Sequence, residues 1–118
     1  YVKGRSFYTL HEVFENYYNH TTESLDEVAE RLLAIGGRPV STLKGALEIA
    51  TIKEATEQET TSEMVAAVFH DFELLINDLT HLMDVAEDEG DQGTSDLALG
   101  LKTQLEKNVW MLKAYLAD

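Results

Sequence analysis

The chain has 118 residues, 44% of them hydrophobic, with 22 acidic side chains against 9 basic ones and a formal charge of -13. This is the size of one compact domain; no run is long and apolar enough to span a bilayer, and the charge opposes unassisted binding to a phosphate backbone while favouring cations. The absence of cysteine excludes disulfides, thiolate zinc sites and thiol catalysis and fits a reducing compartment, while 1 proline and 7 glycines point to a mostly helical chain.

Gly4 breaks the opening stretch, and Ser6 is placed to cap the helical run that begins just after it. Over residues 7–35 the apolar positions Leu10, Val13, Phe14, Tyr17, Leu25, Val28, Ala29, Leu32 and Leu33 keep an i, i+3, i+4 rhythm, interrupted only over residues 19–22. The spacing predicts one long helix. Gly36 and Gly37 supply a left-handed stop, and Pro39 bars continuation. Ser41 or Thr42 can then cap a short helix over residues 43–50, followed by a polar connection over residues 51–59. Thr60 and Glu63 have capping-box spacing ahead of a second long run, from Met64, Val65, Val68 and Phe72 to Met83 and Ala86. Gly90 is its expected stop. Thr94 or Ser95 is expected to open the last helix, through Leu97, Leu101, Leu105, Val109, Leu112 and Leu116. Its final turns carry Trp110, Met111 and Tyr115, which read as packing residues. No useful period-two alternation occurs, so strands are not expected.

Within the first helix lie four side chains of metal-ligand type: His11, Glu15, Asp26 and Glu30. At 100° per residue they fall at about 0°, 40°, 60° and 100°, a single polar stripe. Along the axis, however, His11 and Asp26 are separated by roughly 22 Å, so one helix cannot close them around one ion. An identical helix packed antiparallel about a two-fold axis near Asn19 and His20 would bring the His11/Glu15 end of one chain to the Asp26/Glu30 end of the other.

Three long helices with a short crossover helix between the first and second form an all-α, ferritin-like four-helix bundle lacking one member. The missing member is expected before Tyr1. Residues 1–118 are accordingly read as a single ferritin-like domain that is incomplete at its N-terminus.

The run YVKGRSFYTLHEVFENYYNHTTESLDEVAERLLAIGGRPVSTL resembles the signature of the Dps family, the mini-ferritins named as DNA-binding proteins from starved cells. The matching positions are Lys3, Gly4, Leu10, His11, Glu12, Glu15, Asp26, Ala29, Glu30, Arg31, Gly36 and Gly37. The closing EKNVWMLKAYL is similar to the family's last helix, so the resemblance covers essentially the whole chain. The departure lies at the front, where the family's first helix and a second ferroxidase histidine, two positions before Tyr1, fall outside the sequence.

The resemblance implies a hollow twelve-subunit shell, a dodecamer built from two-fold dimers, with iron as the metal handled. Carried over by motif, His11, Asp26 and Glu30 are the ferroxidase residues, with Glu15 an additional carboxylate ligand from the histidine's own subunit. Ferrous iron would be oxidised, with hydrogen peroxide the family's preferred oxidant, and stored as ferric mineral. The resemblance also implies that acids in the region of Glu87, Asp91 and Asp96 line ion-entry pores at three-fold axes. The expected location is the cytoplasm, with no membrane partner.

Each reading has a plainer competitor. A histidine and acids on a helix are commonly a solvated face, and Asp96 would suit a helix N-terminus on charge alone. Asp78 and His81 mimic a ferritin carboxylate and histidine pair, but matching glutamates on other helices are not evident, so both read as surface; His20 and His70 read as ordinary polar positions. The alternative function is a nucleoid protein that binds and protects DNA, for which this chain shows no lysine-rich tail. A third is a helical protein that keeps the fold without the chemistry, which the intact His11, Asp26 and Glu30 disfavour.

Overall fold

The computed structural model describes residues 1–117, and among them every regular element is a helix. The chain order is α1 Phe7–Ala34, α2 Leu43–Ile49, α3 Thr61–Asp88 and α4 Gln92–Leu116. Three long helices and one short one are thus present, as the periodicity requires. No described helix is long and apolar enough to cross a membrane. The chain divides into two compact units at the boundary between Ala55 and Thr56.

In the first unit, α1 runs unbroken for 28 residues. Ser6 occupies the N-cap position, although its hydroxyl makes no capping bond. The polar interruption in the rhythm does not break the helix; the hydroxyls of Thr22 and Ser24 are satisfied within it, donating back to the carbonyls of Tyr18 and His20, each at 2.9 Å. The helix ends in a Schellman motif: the Gly36 N–H reaches Leu33 O at 3.1 Å, and the Gly37 N–H reaches Leu32 O at 2.8 Å. Gly36 adopts φ +94°, and a Cβ on Gly37 would run into the Leu32 side chain and lie 3.2 Å from Leu32 O. The pair therefore divides two tasks, one a left-handed turn and the other a close approach. Thr42, rather than Ser41, caps α2, its hydroxyl accepting from the Gly45 N–H at 3.0 Å.

The second unit opens on two side-chain-stapled turns. Glu59 Oε1 accepts from the Thr56 N–H at 2.7 Å and the Thr56 hydroxyl at 2.8 Å, and these bonds hold the Glu59 carboxyl below its usual range. The capping box at α3 comes next, with Thr60 and Glu63 satisfying each other's backbone N–H. Gly90, at φ +70°, ends α3 in a second Schellman motif.

The start of α4 departs from expectation. Asp91 is the N-cap, its carboxylate accepting from the Thr94 N–H at 3.1 Å and from the Thr94 hydroxyl. Thr94 and Ser95, expected to open the helix, instead lie buried inside its first turns. Asp91 serves both junctions at once, because its own N–H closes the Schellman motif on Ala86 O at 2.8 Å. A three-residue link of this kind returns α4 along α3. The core of the unit lies on a seven-residue repeat, with Val65, Phe72 and Ala86 from α3 and Ala98, Leu105 and Leu112 from α4, all buried. Such spacing suits two helices crossing at a shallow angle. Asn108 is buried on the same seam, where its Oδ1 accepts from Gln104 Nε2 at 3.1 Å.

A second departure concerns large apolar side chains. Trp110 is 62% exposed, and Met111 and Tyr115 are exposed too. On α1, Tyr18, Leu25 and Leu33 face solvent, as do Leu43, Leu47 and Ile49 of the α2 segment. In a single chain these residues are therefore not core.

Candidate metal centre

Because α1 is continuous from Phe7 to Ala34, its geometry alone fixes where the four candidate ligands stand. His11, Glu15, Asp26 and Glu30 are all exposed. They fall into two groups. Asp26 and Glu30, four residues apart, are neighbours across one helical turn. Asp26, as a hydrogen-bonding neighbour first and by its charge second, raises the Glu30 carboxyl above its ordinary range, with Glu27 adding a smaller repulsion. Two carboxylates one turn apart repel each other, and a cation placed between them relieves that repulsion.

The other group lies about 22 Å along the axis, by the rise of an α-helix. Here the His11 ring stacks on Phe7, with centroids 5.4 Å apart and planes inclined by 22°. Glu15 stands one turn later. Among the described residues, no three histidines or carboxylates of the chain converge as a metal site. The structure thus brings Asp26 to Glu30 and leaves His11 far from both.

The acids proposed for ion entry sit at the α3/α4 junction. Glu87 Oε1 accepts from the Ser95 hydroxyl at 3.3 Å, Asp91 caps α4, and Asp96 is exposed beyond the first turn of α4. The first two are engaged in local structure, and Asp96 makes no capping contribution. Asp78 and His81 are exposed on α3, while His70 Nδ1 lies 3.4 Å from Glu73 Oε1. Phe7 is not among the candidates that sequence reasoning singles out, although an aromatic residue four positions before a histidine on one helix is a readable signal.

With this geometry in view, the likeness to known proteins becomes decisive. The sequence matches the ferritin family, described as a ferritin-like domain, over residues 1–118. The general stress protein 20U of Bacillus subtilis is 48% identical over 116 residues, covering 98% of this chain and 80% of the relative. DNA protection during starvation protein 2 of Bacillus anthracis is 50% identical over 116 residues, with the same coverage. The crystal structure of a Dps protein from Bacillus brevis matches with a TM-score of 0.96 at 46% identity, covering 98% of this chain and 78% of that one. The chain belongs to the Dps family of ferritin-like proteins. The all-α Dps fold therefore accounts for three long helices joined through a short one, and the motif carrying His11, Asp26 and Glu30 lies on the first of them.

Proposed function

We propose that the protein is a ferroxidase that stores iron, oxidising Fe(II) at sites shared between two subunits. The general part, an iron-storage role, goes with membership of the ferritin-like family. The observation that carries the finer reading is the division of the candidate ligands on α1: a carboxyl pair at one end, a histidine and a carboxylate at the other, and about 22 Å of helix between them. One chain cannot close such a set, whereas two chains related by a two-fold axis make it twice.

In this reading, His11 and Glu15 of one subunit and Asp26 and Glu30 of the partner subunit hold the ferrous substrate. Oxygen ligands with one imidazole suit Fe(II) and bind Fe(III) more strongly still, which favours its oxidation. Hydrogen peroxide is the oxidant: each molecule accepts two electrons, one from each of two ferrous ions, and its O–O bond breaks. With water, the products are ferric oxyhydroxide and protons, the mineral collecting inside a shell of twelve subunits. The exposed apolar side chains of α1, the α2 segment and the end of α4 support assembly, since they need covering. Asp96, with Glu87 and Asp91 beside it, would contribute negative potential at the ion entrance. The names of related proteins speak of DNA protection; removing iron and peroxide fits a net charge of -13, and direct contact with a phosphate backbone does not.

The test is native mass spectrometry together with anaerobic Fe(II) titration and peroxide addition. A dodecamer that binds Fe(II) and turns it ferric with about one peroxide per two irons is expected. A monomer that leaves Fe(II) unbound would refute the proposal.

A further inference from the structure

The His11 imidazole does not stand alone on α1. Its face lies against the Phe7 ring, 5.4 Å between centroids with planes 22° apart, and the Phe7 ring is met edge-on by Tyr8 at 5.3 Å and 74°. Phe7 is itself fixed by its position as the first residue of the helix. Its N–H bonds to Gly4 O at 3.1 Å, closing a turn in which Gly4 takes φ +98°. Side chains four apart on a helix are neighbours, and both lean toward the N-terminus, so His11 settles back over Phe7.

An exposed imidazole otherwise turns among several rotamers. A flat ring against one face removes most of that freedom. It also leaves the useful atoms clear, because imidazole nitrogens bind metals in the plane of the ring and a face-on neighbour blocks neither. We propose that Phe7 is a positioning residue for His11, stacking on the imidazole to preset the plane in which it meets a divalent cation. The proposal rests on the reading of His11 as a ligand and extends it to a residue that touches no metal.

The experiment is an anaerobic Co²⁺ titration of the assembled protein, read by visible absorption, on the wild type and on Phe7→Leu, Phe7→Tyr, His11→Ala and the Phe7→Leu/His11→Ala double variant. Loss of the stack is expected to weaken Co²⁺ binding roughly two- to tenfold in Phe7→Leu, the range for an aromatic pair. Phe7→Tyr should restore it, and Phe7→Leu should have no further effect once His11 is alanine. Wild-type binding by Phe7→Leu, or equal losses in both backgrounds, would overturn the positioning role. Unchanged binding by His11→Ala would instead overturn the ligand reading beneath it. Should Phe7→Leu fail to fold, ¹³C-labelled histidine in the wild type still decides. The His11 ring protons, identified by their loss in His11→Ala, should be shifted upfield by the Phe7 ring current, and an unshifted resonance would refute the stack.

Discussion

Two inactive variants should rescue each other if the site is shared, and the size of the rescue comes from the geometry of α1. His11→Ala removes the histidine end of the stripe and Asp26→Ala the carboxylate end, about 22 Å away. Each variant alone has no complete site. When the two are unfolded together in equal amounts and reassembled, half of all two-fold pairs combine one of each. Within such a pair, the intact His11 of one subunit faces the intact Asp26 of the other, while the second site carries both lesions. One site in two, in half of the pairs, gives about one quarter of the wild-type number. Ligation within one chain predicts none. The assay is peroxide-driven ferric absorbance per subunit, compared with separately reassembled variants, with native mass confirming that both variants share a shell. Mixed shells without recovery would refute the shared site.

Other substitutions probe the scaffold. Burial raises the Asp71 carboxyl above its ordinary range against a smaller opposing pull from His70, so the proton is held more tightly in the folded state. Its contribution to stability is therefore present at low pH and lost as pH rises through the folded-state value. Asp71→Asn should raise Tm at pH 7, with the gain shrinking as the buffer becomes acidic enough to protonate Asp71; a lower Tm at pH 7 would contradict the assignment. Thr60→Ala deletes one half of the α3 capping box and should cost about 1 kcal/mol. In a thermal melt this amounts to a fall of roughly 2–6 °C. Gly36→Ala forces a side chain onto φ +94° and should cost about 1–2 kcal/mol in chemical denaturation, without changing the amount of metal bound per folded subunit.

The helices were legible where local chemistry had one solution. Gly36 and Gly90 each end a helix by a left-handed turn, and Thr60 with Glu63 opens one by a reciprocal pair of bonds. The start of α4 was not, because Asp91, Thr94 and Ser95 are all cap-forming types within five positions. What decides among them is the Schellman turn at Gly90. It delivers the Asp91 N–H to Ala86 O and leaves the Asp91 carboxylate facing the first turn of α4, so helix formation begins before Thr94. A junction in which one residue closes one helix and opens the next cannot be read from either helix alone.

The candidate site shows a similar division. Angular positions on a continuous helix come directly from spacing, so the common stripe of His11, Glu15, Asp26 and Glu30 was readable, as was the distance that separates its ends. The contact made at its histidine end was not: the stack of Phe7 on His11 depends on rotamers. Apolar spacing carries the same ambiguity at larger scale. Leu25, Val28 and Leu33 keep the helical rhythm as faithfully as Leu10, yet Leu10 is 2% exposed and Leu25 is 71% exposed. Trp110 makes the same point on α4. Periodicity shows which residues must leave water, but the identity of what covers them lies outside the period, and a second copy satisfies the pattern as well as the chain itself does. On α1 the uncovered apolar residues share the helix with both halves of the proposed site. Covering the first with a second subunit is therefore the step that would complete the second.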